Sequence, residues 1–300
     1  MKKLLLITMV VLIGTPCFAK DEGETAMAFV KIGQEARVAG MGEAFVGLAD
    51  DVSALYWNPA GLSQLEEREA SFMYLKPFTD VSGLGYGYLS SAFPTNEGVW
   101  ALSLSYFDYG SEEKYDNLAN SHGTWEASDI CLSFGFGRKV NENVAFGFSL
   151  KAIEEDIDTE DAPGLAVDCG VLYKPDIENM KIGAAIKNIG PKVKFRTDSD
   201  SLPLSLKLGL SYLLPNAPVT LVLDSTIPND NKSYIGIGGE YNYKEALAIR
   251  LGYKGGPQDE GSGLTAGFGI KHPKLNFDFA YQPASDLGNS YVVSVRGRIE

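Results

Sequence analysis

Residues 203–213 alternate without a break. Leu204, Leu206, Leu208, Leu210 and Tyr212 fall on one side of an extended chain, and Ser205, Lys207, Gly209 and Ser211 fall on the other. A two-residue period of this kind suits a strand with two unlike faces and does not suit a helix. The scheme recurs in Ile130/Leu132/Phe134/Phe136, Val144/Phe146/Phe148/Leu150, Leu247/Ile249/Leu251/Tyr253 and Leu275/Phe277/Phe279/Tyr281. The opposite faces carry Lys151, Arg250, Lys254, Lys271, Asn276, Asp278, Gln282, Arg296 and Arg298. A chain of such strands buries one face and wets the other, which makes the fold all-β.

Fourteen runs have this period or a β-rich composition: 69–76, 81–93, 98–109, 124–138, 143–155, 164–174, 180–188, 203–213, 218–225, 233–242, 246–254, 263–271, 275–282 and 290–299. Alternation alone does not say whether the apolar face points inward, as in a soluble barrel, or outward to lipid. The connections discriminate. Those at 94–97, 139–142, 175–179, 214–217, 243–245 and 272–274 are short. Those at 110–123, 156–163, 189–202, 226–232, 255–262 and 283–289 are longer and polar, and only 77–80 breaks the rule. Short turns at one end and long loops at the other predict a 14-stranded antiparallel transmembrane β-barrel. If the segment ahead of it starts on the periplasmic side, strand one runs outward. A barrel this wide leaves a lumen that needs filling. The chain ends Arg298-Ile299-Glu300, without the terminal aromatic usual in such barrels, so insertion is expected to rest on an internal signal or on an insertion machinery that differs in this organism.

The first residues read as a leader: Lys2 and Lys3, an apolar run from Leu4 to Ile13, then Cys17-Phe18-Ala19 before Lys20. The run is too short to span a bilayer. Cleavage is expected after Ala19, with a lipid-anchored Cys17 as the alternative. Losing two lysines and no acids takes the formal net charge from −13 to −15. No basic stripe meets phosphates, so nucleic acid is not an expected partner. Cys131 and Cys169 fall on opposite faces of their strands and are expected to be free thiols. His122 and His272 lie near no nucleophile pattern, and no metal spacing or nucleotide loop appears; no enzymatic activity, cofactor or metal is expected.

Before Glu69 the sequence changes character. Thr25–Ala36 fits an amphipathic helix, with Ala28, Ile32 and Ala36 on one face. Asp50 and Asp51 are placed to cap a second helix over Val52–Trp57, which Asn58-Pro59-Ala60-Gly61 must end. Read with the strands, residues 20–68 form a hatch inside a barrel made by 69–300, after a leader over 1–19. A helix packed outside a soluble domain is the plainer alternative.

The stretch Ala39-Gly40-Met41-Gly42-x-Ala44-Phe45-Val46, followed by Ala49-Asp50-Asp51-x-Ser53-Ala54-x-Tyr56-Trp57-Asn58-Pro59-Ala60-Gly61-Leu62, resembles the signature of the PorV/PorQ family of outer-membrane proteins, a UPF0164-type group within the FadL-like superfamily. Lys187-Asn188-Ile189-Gly190-Pro191 is a weaker echo of a family strand end. The resemblance implies a cell outer membrane location in a diderm bacterium, contact with outer-membrane lipid, and an Asn-Pro-Ala element in a hatch within a 14-stranded barrel. It implies passive transport of hydrophobic, fatty-acid-like small molecules past the hatch. Alternatively, a PorV-like role in type 9 protein secretion would make secretion-system and cargo proteins the partners; a structural barrel is the third reading.

On this reading Tyr56, Trp57, Asn58, Pro59 and Gly61 are the gate candidates, with Asn58 hydrogen-bonded in the lumen and the two aromatic rings against a ligand or the wall. Tight-turn chemistry accounts for Asn58, Pro59 and Gly61 equally well. Asp156, Asp158 and Glu160, on a long outer loop, offer oxygen ligands at alternating spacing that would suit calcium. A solvated surface loop has the same composition.

Overall fold

The computed structural model describes residues 25–299 apart from 80, 117, 119, 196, 197, 257–260 and 284–287. The leader, its cleavage site and residues 20–24 therefore lie outside the described residues. The alternating runs become β1 (Arg68–Lys76), β2 (Gly85–Pro94), β3 (Val99–Tyr115), β4 (Ser121–Lys139), β5 (Val144–Ile157), β6 (Glu160–Tyr173) and β7 (Met180–Ile189). A short hairpin follows, β8 (Val193–Phe195) and β9 (Asp198–Asp200). Then come β10 (Ser205–Leu213), β11 (Val219–Pro228), β12 (Tyr234–Tyr243), β13 (Leu247–Gly255), β14 (Gly263–Lys271), β15 (Leu275–Pro283) and β16 (Asn289–Ile299). Sequential antiparallel pairing, with β7 beside β10, runs round to β16. There Arg68↔Ile299 through Lys76↔Tyr291 close a 14-strand barrel that leaves β8 and β9 paired only with each other.

The faces are inverted relative to a soluble protein. Leu251 is 67 % exposed and Phe72 52 %, whereas Arg250 is 1 % and Asp168 0 %. Apolar residues out and charged residues in is the distribution of a transmembrane barrel. The turns of one end are short: 95–98, 140–143, 174–179, 214–218, 244–246 and 272–274. That end faces the periplasm by the rule that periplasmic turns are short, and β1 runs outward from it.

Two loop expectations need correction. The connection after β1 runs over 77–84, so the exception at 77–80 disappears. Conversely, most of 110–123 and 156–163 is strand, joined only by 116–120 and 158–159, because β3 to β6 project beyond their neighbours. Ladder hydrogen bonds need only backbone, so strands continue into polar sequence where no apolar alternation marks them.

Residues 25–67 run down the lumen. The Thr25–Ala36 helix does not form. A 3₁₀ turn covers Ala28–Lys31 and an α-turn Ala36–Ala39, with Met27 (φ 57°) and Glu35 (φ 76°) left-handed on either side. Contacts to the wall replace the missing helical bonds. The Met27 N–H donates to Glu155 (3.2 Å) and the Ala36 N–H to the Ser294 hydroxyl (3.3 Å). The second helix shortens to Ala54–Trp57; Asp51 still accepts from the Ser53 N–H at 3.1 Å. The direction of travel also differs from expectation. Thr25 pairs with Ser201 and donates to Asp230 (2.6 Å), both at the extracellular end, and the chain reaches the periplasmic turns at Ser63 and Gln64 before entering β1 at Arg68.

Candidate functional site

The functional question turns on how the luminal segment, the hatch, is seated. The inner wall meets it with glycine. A Cβ at Gly147, Gly170, Gly183, Gly209, Gly238 or Gly252 would come within 3.0 Å of a hatch atom. Backbone therefore packs on backbone at β5, β7, β10, β12 and β13, and Gly170 on β6 meets the Asn58 side chain. Side chains lock the seat. The Asp224 carboxylate on β11 accepts from the Phe45 (2.6 Å) and Val46 (2.8 Å) N–H groups. Asn58, fully buried, donates to the carbonyls of Val46 (2.9 Å) and Val171 on β6 (3.1 Å), and its Oδ1 accepts from the Ala60 N–H (3.2 Å). Pro59 opens the 3₁₀ helix Pro59–Gln64, where its missing N–H costs nothing. Gly61 lies so near Ala49 that no side chain fits.

Nearer the periplasm a charged network ties hatch to wall. Arg37 bridges Asp50 (2.7 Å), Asp51 (2.8 Å) and Glu240 (3.0 Å); Arg250 joins Glu240 (2.7 Å) to Asp278 (2.6 Å); Arg296 holds Asp51. Glu35, also buried, accepts from the Ser71 hydroxyl on β1 (2.5 Å).

Tyr56 and Trp57 meet edge to face, with centroids 5.0 Å apart. The Tyr56 hydroxyl donates to the Val30 carbonyl (3.2 Å) and the Trp57 indole N–H to that of Gln34 (3.0 Å). Lys187 from β7 lies 3.1 Å from the Tyr56 centroid and Lys207 from β10 lies 5.0 Å from the Trp57 centroid. Toward β2 and β3 the contact is looser. Gln34, Tyr56, Tyr86, Tyr88, Ser103 and Ser133 surround a void of about 10 Å³, room for about one water.

Above the hatch, at the extracellular mouth, lies a cavity of about 400 Å³. Phe29, Ile32, Leu75, Phe78, Phe107 and Tyr234 give it an apolar lining. Its polar groups already have partners: Lys254 pairs with Glu43 (2.8 Å), which also accepts from Gln282 (3.0 Å).

The five gate candidates thus come together in the structure. Tyr56 and Trp57 lie below the outer cavity, against the wall's lysines, rather than in its lining. Of the three acidic candidates, Asp156 and Asp158 line a separate outer cavity, and Glu160 does not join them. Asp156 faces Asp161 across β5 and β6, whereas Glu160 pairs with Ile157 on the other face. Asp158, in the two-residue turn, is held by Lys114 (2.6 Å). Among the described residues no group of His, Cys, Asp or Glu is placed to hold a metal. The strands continue to the tip, and strand alternation sends neighbouring carboxylates to opposite sides. Sequence reasoning missed Arg37, Asp224 and Glu240. Their signal was a lone charge among small hatch residues and two acids at inward positions of otherwise apolar strands.

The family model described as type IX secretion system protein PorV matches residues 19–217. No curated protein matches the chain. Among solved structures, the toluene transporter TodX of Pseudomonas putida aligns with TM-score 0.65 at 14 % identity, over 95 % of this chain and 100 % of its own. The CymD monoaromatic hydrocarbon channel aligns with TM-score 0.64 at 14 % identity, over 89 % and 98 %. A Pseudomonas aeruginosa FadL homologue gives 0.56 at 13 %, over 88 % and 98 %. At these identities the likeness is one of fold.

Proposed function

Because the chain belongs to the PorV family of type IX secretion system proteins, we propose that it is a closed docking barrel of that pathway. It sits in the outer membrane and receives an apolar group of a secreted protein at its extracellular mouth. The carrying observation is the seat of the hatch. Backbone packs on glycine around much of the wall, every adjacent strand pair is laddered, and the sizeable apolar cavity opens outward. Such a barrel offers a hydrophobic socket above a closely seated hatch. Its cavity volume is within the range of ordinary ligand pockets.

The test uses the native organism. A photo-crosslinking residue in place of Phe78, on the cavity lining, should capture exported proteins. Deletion of the gene should leave those proteins in the periplasm, and the purified barrel should show no steady conductance in a planar bilayer. Normal secretion in the deletion strain, with impaired growth on a hydrophobic compound, would sink the proposal. It would establish the second reading, passive uptake of hydrophobic small molecules. That reading draws on the apolar cavity and on the fold shared with TodX and CymD, and it requires the hatch or wall to open.

A further inference from the structure

Three buried ammonium groups, those of Lys151, Lys187 and Lys207, gather around the middle of the lumen, and two carboxylates, Asp168 and Asp224, face them. Lys151 on β5 has its acceptors, Asp168 at 2.6 Å and Asn188 at 2.7 Å, while Lys254, nearer the mouth, is paired with Glu43 at 2.8 Å. Asp224 accepts hatch N–H groups at one oxygen; its other oxygen is buried without a hydrogen-bond partner, and Lys207 acts on the carboxylate only through space. Lys187 and Lys207 are left over. They are 2 % and 8 % exposed, and among the described residues neither makes a hydrogen bond or ion pair. Their close neighbours are aromatic: Lys187 Nζ lies 3.1 Å from the Tyr56 centroid and 5.9 Å from that of Trp57, and Lys207 Nζ lies 5.0 Å from the latter. The network nearer the periplasm does not supply the missing charge, since Arg37, Arg250, Lys271 and Arg296 there meet Asp50, Asp51, Glu240 and Asp278.

A ring face attracts a cation but cannot accept its hydrogen bonds, and a buried ammonium without an acceptor is strongly disfavoured. The two lysines are diagonal neighbours on one inward face, Lys187 opposite Ser205 and Lys207 opposite Ala185. Such positions stand roughly 7 Å apart, close enough for two ammonium groups to share one small ion. We infer that the lumen holds a single monovalent anion, of halide or formate size, between Lys187 and Lys207 beside Trp57. It balances the surplus charge and binds the Tyr56–Trp57 segment to β7 and β10.

The full chain in non-ionic detergent is melted in sodium chloride, bromide or gluconate at equal ionic strength, gluconate being too large to enter. The midpoint should be several degrees higher in the two halides, since a ligand of the folded state stabilises it. That difference should vanish in Lys207→Met. Crystals soaked in bromide should show an anomalous peak within hydrogen-bonding distance of both ammonium groups. Equal midpoints in all three salts, a halide effect that survives Lys207→Met, or crystals without that peak would overturn the inference; a neutral Lys187 would leave the crystals without it. Should Lys207→Met fail to fold, the bromide peak in the unsubstituted protein decides alone.

Discussion

The wall of the barrel grips its hatch in two ways. From β4 round to β13 glycines bring the wall close against the hatch, mostly backbone on backbone. From β16 through β1 to β3 the contact runs through side chains: Ser71, Ser294, Tyr86, Tyr88 and Ser103. Glycine contact leaves no rotamer to adjust, whereas hydroxyls turn, exchange partners and tolerate a void. One hatch is thus fixed along one arc and adjustable along the other. Any displacement of it starts on the serine side.

Adding one methyl group on the fixed side tests this most severely. Gly183→Ala puts a Cβ into the Val46 carbonyl and should cost about 3 kcal/mol or prevent folding, since a backbone neighbour cannot step aside. Thermal denaturation followed by gel mobility reads the loss. On the adjustable side Glu35→Gln keeps the shape of the side chain that accepts from the Ser71 hydroxyl and should cost about 1 kcal/mol in the same melting assay; a loss as large as that of Gly183→Ala would put this contact on the fixed side. The smallest effect is expected for Ser103→Ala beside the void, below about 1 kcal/mol. A loss as large as that of Gly183→Ala would erase the distinction between the two arcs.

The barrel was legible because lipid imposes a period of two on every strand that crosses it, as Leu204 to Tyr212 show. The projecting ends of β3 to β6 were not. Above the membrane only the backbone ladder is required, so the Gly110–Tyr115 end of β3, with its serine, two glutamates and lysine, carries no apolar alternation. The Asn58–Gly61 turn was readable from its local chemistry, and the structure adds the wall partners that no local rule supplies, such as the Val171 carbonyl. Thr25–Ala36 misled because its amphipathic spacing was real but its hydrogen bonds go to the wall. The outer cavity had no local signature, as its lining comes from segments as distant as Phe29 and Tyr234.

Thr25 at the outer mouth and Ile299 at the inner rim give the described chain ends on opposite sides of the membrane. An even number of strands alone would have left them together. The polypeptide thus makes one crossing more than its strand count, and that crossing is wrapped by all the others. During assembly the sheet has to curl around a segment already in place, or the segment has to be threaded through a finished ring. A bulky folded domain fused ahead of Thr25 would separate these routes: it could not pass through a closed barrel, but it would not hinder a sheet that closes last.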